Sequence, residues 1–497
     1  MCSLFIVSLV VSAIILALTY MVNIFKRPPN YPPGPPWTPV VGNGPQLKKL
    51  SRALGGQHLA FAKLSEQYDT DVLGLKLGGE LVVVVTSYWT ARTVQLSENY
   101  EGRPKNFFMK LRSAGTEKGI TGTDGELWRI QRNFVKIHLR KLGFGKKSME
   151  QKIQDEASEI LTLLQENEGK PIQTSHVLAI SVLNIIWALI SGSRLNRDDP
   201  QLARLLYLFD LRSEAFDMAG GLLNQFPWLR LVAPERSGYR LIVRMNDELR
   251  ALMRAAIGRH HDTWTEGRED DLIYAFIGEM RKSGGGETTF TDDQLIMVCL
   301  DLFLAGSQTT SNTIDFALLM MILHPDIQNK VHSCLSDEFG ENEEINFSDR
   351  NRVPYVEAVI SEVERLYHVL PISGPRRVLR DTKLKGYSIP KDTTVLISLY
   401  SSHSSEEFWK DPEVFRPERF LDENGRLSIP DRLMTFGIGR RRCIGEILAK
   451  TSIFSFFCTI MRNYRISSPP GCEKPTGRPI PGITLKPEKY KAVFTKL

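Results

Sequence analysis

The stretch that most constrains this chain of 497 residues is Phe436-Gly437-Ile438-Gly439-Arg440-Arg441-Arg442-Cys443-Ile444-Gly445. It sets one cysteine in a turn rich in glycine and arginine. Directly after it comes Glu446-Ile447-Leu448-Ala449-Lys450-Thr451-Ser452-Ile453-Phe454, which reads as the start of an apolar helix. A thiolate at that position would sit at a helix N-terminus, where the macrodipole and unpaired backbone N–H groups favour negative charge. The three arginines upstream add to the same field and are expected to lower the thiol pKa. Glycines on both sides let a large flat ligand approach the backbone closely. A lone cysteine in a basic loop is more often a packing residue; the full pattern argues for a ligand.

Composition is that of an ordinary globular chain, 42% hydrophobic and 24% charged, which excludes a disordered or repetitive protein. The net charge of +6 is too diluted to argue for a nucleic-acid partner. Residues 3–25 differ from the rest in carrying no charged side chain. Such a run spans roughly 35 Å as a helix, enough to cross a bilayer. It is longer than the apolar core of a cleaved signal peptide, and no small-residue cleavage site closes it. Lys26-Arg27 follows as a stop that directs the C-terminal side to the cytosol. The proline-rich stretch after it is stiff and cannot continue a helix. The expected organisation is a membrane anchor at 1–25, a basic stop and proline-rich spacer at 26–45, and one large domain at 46–497. Six scattered cysteines (Cys2, Cys299, Cys334, Cys443, Cys458 and Cys472) show no paired spacing, which suits a reduced, cytosol-facing domain.

Residues 72–77 and 80–86, joined by Gly78-Gly79, read as a β-hairpin, and a second strand-rich stretch covers 385–400. Helical periodicity dominates between them, as at 149–165, 178–190, 239–261 and 272–282. The expected fold class is mainly α with a small β-sheet region (α+β). A helix of about thirty residues starts at the polar caps Phe290-Thr291-Asp292-Asp293-Gln294 and stops at His324-Pro325. Asp301, Gln308, Asn312 and Asp315 along it favour a buried core helix over a second membrane span. Trp128 and Arg132 are four apart and share a helix face, as do Glu362 and Arg365 at three apart.

The ten-residue stretch resembles the haem-binding signature of the cytochrome P-450 family, F-x-x-G-x-R-x-C-x-G, at Phe436, Gly439, Arg441, Cys443 and Gly445. The resemblance implies the cytochrome P-450 fold with an N-terminal transmembrane helix. It also implies haem b (iron protoporphyrin IX) with Cys443 as the axial thiolate on iron. By the same likeness Trp128, Arg132, Arg376 and Arg441, with Arg103 as a weaker candidate, would hold the haem propionates, and Phe436 would belong to the cofactor site. Ala305-Gly306-Ser307-Gln308-Thr309-Thr310 resembles the family's oxygen-binding kink, A-G-x-x-T. There Gly306 would let the helix approach the haem, and Thr309 would hydrogen-bond dioxygen and route protons. Gln308 stands where most members carry an acid, and an amide cannot relay a proton as a carboxylate does. Glu362, Arg365 and Arg419 match the family's buried triad that locks the cysteine-bearing segment.

These likenesses imply a membrane-bound monooxygenase. No glycine-rich nucleotide fingerprint lies between a strand and a helix, so electrons would come from NADPH through a partner flavoprotein, NADPH–cytochrome P-450 reductase, with cytochrome b5 as a further donor. Arg440, Arg442, Lys136, Arg140, Lys141, Lys146 and Lys147 would form the basic face that meets it. The segments expected to line the pocket are 105–121, 205–228, 298–309, 370–374 and 481–485. They are aromatic- and methionine-rich, pointing to a lipophilic substrate delivered through the endoplasmic reticulum membrane. The chain looks like the insect microsomal branch, and within it the members that epoxidise methyl farnesoate to juvenile hormone III. The alternatives are a broad xenobiotic, fatty-acid or steroid hydroxylase, a peroxide-rearranging enzyme, and a haem sensor or carrier.

Overall fold

The axis of the fold is a helix of 32 residues, Asp292–Leu323, seen in a computed structural model that describes Ser12 and residues 26–282, 288–340 and 343–497. The anchor expected at 1–25 lies, apart from Ser12, outside the described residues. Thr291 caps the long helix by accepting from the Gln294 N–H, and Asp292 and Asp293 occupy its first turn, as its dipole favours. Its end comes where Pro325 opens the next helix, Pro325–Glu338. Buried residues surround it on every side near both ends, the signature of a core helix.

Its main neighbour is Thr174–Ser191, apolar enough by a mean hydropathy of 1.7 to cross a membrane, yet mostly buried inside the domain. The two helices touch at Gly306, where an added Cβ would stand 2.6 Å from Cδ1 of Ile186. Phe303, one turn earlier, packs edge-on between Trp187 at 5.9 Å and Phe209 at 6.0 Å between ring centroids. The absent side chain at Gly306 thus makes room for a helix–helix contact.

Three further helices fall where the periodicity places them, Lys147–Glu166, Tyr239–Thr263 and Leu272–Lys282, and Gly125–Lys141 and Pro354–Tyr367 frame the site described below. A four-stranded sheet stands aside. Strands β1 (Val72–Leu77) and β2 (Glu80–Val85) form the expected hairpin, turning at Gly78 with φ of 59°. Strands β3 (Arg376–Arg377), β4 (Thr382–Leu384), β5 (Tyr387–Ile389) and β6 (Thr394–Ile397) follow later in the chain. The order is β1-β2-β6-β3, with β6 parallel to β2 and antiparallel to β3, and β4 pairs with β5. β1 and the end of β2 are covered on both faces, which is why they read as continuous apolar runs instead of alternating. The strand-rich stretch expected to reach 400 ends at Ile397. Ser398 accepts from the Ser401 N–H and caps a short helix, Leu399–His403. The mainly-α class with a small sheet region is what the chain adopts.

Candidate active site

The site is built from its support upward. Helix Pro354–Tyr367 buries Glu362 and Arg365 with no accessible surface on either. Arg365 donates to both carboxylate oxygens of Glu362, at 2.6 and 2.8 Å. Oε1 also accepts from Nε of Arg419 at 3.0 Å and from the Arg416 N–H at 2.9 Å. Arg365 then donates to the carbonyl of His403 at 3.0 Å, and Nε2 of His403 accepts the Met434 N–H at 3.0 Å. Met434 is two residues before Phe436, so a continuous chain of hydrogen bonds links the buried carboxylate to the cysteine turn. His403 had no distinguishing signal in the sequence.

The turn is pinned at several further points. The Gly437 N–H donates to the Met434 carbonyl and the Ile438 N–H to Oε1 of Gln95, both at 2.9 Å. A Cβ on Gly439, at φ 74°, would meet the Gln95 carbonyl oxygen at 2.4 Å, so only glycine fits there. The Cys443 N–H donates to the Phe436 carbonyl at 2.9 Å, and Cys443 stands two residues ahead of Gly445, the N-cap of helix Glu446–Asn463.

The thiol departs from the sequence expectation. Cys443 keeps accessible surface yet lies deep in the protein, and burial pushes its thiol up; the Gly445 N–H, Arg132 and Arg442 pull the other way, and Glu446 adds to the rise. The arginines act weakly because two are engaged by carboxylates: Arg440 with Glu98 at 3.0 Å and Glu101 at 3.2 Å, and Arg442 with Glu446 at 2.6 Å. Electrostatics of the chain alone do not make this cysteine a thiolate; a bound cation that takes the sulfur as ligand would.

Above the turn lies a second group of arginines. Trp128 is buried on helix Gly125–Lys141, with the Arg441 guanidinium carbon 3.8 Å and that of Arg132 5.7 Å from its ring centroid. Arg441 donates to the carbonyls of Glu101 at 2.7 Å and Thr123 at 2.9 Å, while its Nη1 is buried without a partner. Among the described residues the one hydrogen bond of the Arg132 side chain goes to the Arg442 carbonyl, at 2.5 Å. Arg376, on β3, is buried at 4% exposure. Arg103 donates to the Gly374 and Pro375 carbonyls at 3.0 and 2.6 Å, with its Nε unpartnered. Burial lowers Arg376 to about 10, and burial followed by repulsion from Arg376 lowers Arg441 to about 9. Four guanidiniums thus gather with no carboxylate bonded to any of them among the described residues. That donor set fits a buried dianion needing charge-assisted hydrogen bonds, which is what the two propionates of a haem present. The orphaned Nη1 and the glycine-tight cysteine turn below it fit the same group.

On the long helix, Thr309 donates to the Ala305 carbonyl at 2.8 Å, and Ser311 and Thr313 make the same four-back bond to Ser307 and Thr309. Such back-bonds compete with the helix's own ladder and slightly weaken it along this stretch. Gln308 turns away from this hydroxyl line and donates to Asp210 at 3.1 Å, where Lys486 also approaches at 3.5 Å. Asp301 is the residue whose role the sequence left out. Its Oδ2 accepts from the Ile120 and Thr121 N–H groups at 2.7 and 2.8 Å, and its Oδ1 pairs with Arg112 at 2.9 Å, tying the 105–121 segment to the helix. A charge inside an apolar helix was the available signal. Three of the five expected lining segments meet: Phe108, Phe216 and Leu223, with Ile242 from outside them, form one apolar cluster flanked by Phe107, Leu111 and Ile483, whereas Phe303 and Ile372 of the other two pack in separate clusters. Lys136, Arg140, Lys141, Lys146 and Lys147 are exposed, Lys141 pairing with Glu269 at 2.9 Å.

Comparison with known proteins adds independent support. Residues 32–494 match the family model described as Cytochrome P450. The chain is 46% identical over 485 residues to a protein of Drosophila melanogaster named probable cytochrome P450 305a1, covering 96% of each chain. It is 36% identical over 475 residues to the farnesoate epoxidase of Bombyx mori, again covering 96% of each. It is 35% identical over 472 residues to cytochrome P450 2J1 of Oryctolagus cuniculus, covering 94% of this chain and 91% of that one.

Two outcomes follow from the support. Glu362→Ala leaves Arg365 and Arg419 without their carboxylate in a buried site, which is expected to cost roughly 3–5 kcal/mol; urea denaturation measures it, and a loss below about 1 kcal/mol contradicts the arrangement. Behind the support, His58 and His368 both pack edge-on against Tyr400, and His368 lies 6.0 Å from His403. Burial lowers His58 to about 3 and His368 to about 4, and drives His403 well below its ordinary value. An unfolded histidine takes up its proton near pH 6.5, so the unfolded chain binds more protons in this window. Their contribution is complete above about pH 6.5 and is lost as the pH falls through the folded values. Relative to His368→Asn, the wild type should lose up to about 1.4 kcal/mol per pH unit between pH 6 and 4.5. Parallel stability curves for the two proteins would count against the neutral His368.

Proposed function

We propose, from the premise that the chain belongs to the cytochrome P450 family, that it epoxidises methyl farnesoate to juvenile hormone III at the endoplasmic reticulum membrane. Membership makes it an oxidoreductase of the monooxygenase class whose cofactor is haem held by a cysteine thiolate, with NADPH-derived electrons arriving through a reductase. When bound, the haem supplies dioxygen activation at the cost of two electrons and two protons per turnover.

The chain's own residues take the following parts in this reading. Cys443 ligates the iron, and coordination overcomes the burial that otherwise keeps its thiol protonated. Arg132, Arg376 and Arg441, with Trp128 and Arg103 beside them, hold the propionates, and Phe436 closes the cysteine turn from behind by accepting the Cys443 N–H. Thr309, anchored on the Ala305 carbonyl, can accept a hydrogen bond and hand on a proton at Oγ. Gln308 contributes by fixing Asp210 instead of relaying protons itself. Gly306 keeps the long helix close to Ile186, which sets the level of Thr309. Glu362, Arg365 and Arg419 keep the cysteine segment rigid, so Glu362→Ala should lose haem rather than slow turnover. Residues 1–25 anchor the chain, 26–45 act as the spacer, and 46–497 form the catalytic domain on the cytosolic face. The exposed basic face of Lys136, Arg140, Lys146 and Lys147 receives the acidic reductase, or cytochrome b5.

The observation that carries the substrate is the 36% identity to the Bombyx mori farnesoate epoxidase across almost the whole of both chains, together with the apolar aromatic cluster. A second reading, a hydroxylase or epoxidase acting on another lipophilic compound, is favoured by the higher identity, 46%, to a Drosophila melanogaster relative whose name carries no substrate. Incubation with NADPH, reductase and methyl farnesoate, followed by mass spectrometry, separates the two. The expected product is the epoxide, one oxygen heavier than the substrate and absent without NADPH. Reductase-dependent oxidation of other lipophilic compounds with no farnesoid epoxide would leave the second reading standing.

A further inference from the structure

Helix Pro200–Ala215 carries an arginine that the site described above does not use. Arg212 is buried to 9% exposure, and its Nε has no hydrogen-bond partner. Among the described residues its guanidinium makes no ion pair. Every nearby acid is engaged elsewhere. Arg112, the charge that acts on Arg212, is paired with Oδ1 of Asp301, whose Oδ2 already accepts two backbone N–H groups. Asp210 and Glu214 on the same helix turn to Lys486, at 3.5 and 2.8 Å, and stay half-exposed. Arg212 is lowered to about 9 by burial and then by Arg112, so it remains a cation at neutral pH. Arg112 acts on both Arg212 and Arg103, whereas Arg376 and Arg441 act on Arg103 and on each other.

Two anchored rings flank it in sequence: Phe209 on the same helix, which packs on Phe303 of the long helix, and Phe216 just past the helix end, whose ring centroid is 5.0 Å from that of Phe108. A cation in such a place costs stability unless a ligand supplies the missing oxygen. From the level of Asp301 to that of Thr309 the long helix rises roughly 12 Å, which is of the order of an extended farnesoid chain.

We propose that Arg212 binds the carboxyl end of the substrate, presenting the far end of a long apolar chain to the Thr309 side of the pocket. The inference rests on the farnesoid reading for the identity of the chain, but the recognised chemistry is the carboxyl oxygen, of a free acid or of its methyl ester. A charged guanidinium ranks the two: the acid binds more tightly than the ester, and the ester more tightly than an alcohol that lacks the carbonyl. Fixing that end also determines which alkene is oxidised.

The test titrates the haem-loaded full chain with farnesoic acid, methyl farnesoate and farnesol, reading dissociation constants by calorimetry for the wild type, Arg212→Lys and Arg212→Leu. The wild type is expected to prefer the acid to farnesol by about tenfold or more. Arg212→Leu should abolish that preference with farnesol binding unchanged, and Arg212→Lys should retain part of it. An acid-to-alcohol ratio that is the same in wild type and Arg212→Leu overturns the proposal. Dodecanoic acid and dodecanol form a second arm. A preference for dodecanoic acid that vanishes in Arg212→Leu, with no farnesoid bound, keeps the carboxyl site and removes the farnesoid reading. No acid preference in either arm removes the site. Because the change deletes an uncompensated buried cation, the thermal midpoint of Arg212→Leu should hold or rise; a fall of many degrees would mark Arg212 as structural and overturn the assignment.

Discussion

Glu362 is a fully buried carboxylate that accepts from Arg365, Arg419 and the Arg416 backbone, and the rest of the site is arranged around that group. Taking such ions out of water is unfavourable unless the geometry satisfies them completely. Here satisfaction is what transmits position. Arg365 has a donor left for the His403 carbonyl, His403 has a ring nitrogen left for the Met434 N–H, and Met434 leads into the glycine turn that carries Cys443. Burial also keeps His403 neutral, which is the only state in which Nε2 can accept that N–H. The thiol is thus positioned by a network with no slack, before any electrostatic tuning of the sulfur.

The arginines divide into those with acids and those without. On the outer side of the turn Arg440 and Arg442 are paired with glutamates, so they contribute little field at the sulfur. On the inner side, among the described residues, the guanidiniums of Arg103, Arg132, Arg376 and Arg441 are bonded to carbonyls at most, and burial depresses each of them. Buried donors of this kind are stabilised by anions that the fold itself does not contain. Arg212 repeats the same logic on helix Pro200–Ala215, with its Nε buried and unpartnered.

The parts legible in the sequence were those set by local pattern. The long helix, its Thr291 cap and its proline stop followed from capping chemistry and periodicity, and the hairpin from two apolar runs around Gly78-Gly79. The mainly-α class came from periodicity, but the convergence of Glu362, Arg365 and Arg419 came from resemblance, since a three-residue spacing says nothing of a partner 57 residues beyond Glu362. What the sequence could not show was which charges are already taken. The expected drop in the Cys443 pKa failed because burial of the sulfur outweighs the arginines, and Arg440 and Arg442 are already taken by Glu98, Glu101 and Glu446, which come from separate segments or lie across a helix turn. At Gly306 nothing in the sequence signalled that an added Cβ would meet Ile186, 120 residues away in the chain. Asp301, His403 and Arg212 stayed hidden for the same reason: burial and partner choice are long-range properties.

Ligation by Cys443 is the claim on which the cofactor, the arginine cluster and the rigid support all depend. The most direct measurement is the carbon monoxide difference spectrum of the reduced, haem-loaded protein, compared between wild type and Cys443→His. The wild type should show the red-shifted band of thiolate-ligated haem, and Cys443→His should replace it with the band of imidazole-ligated haem. Retention of the thiolate band in Cys443→His would show that another sulfur holds the iron and would contradict the account.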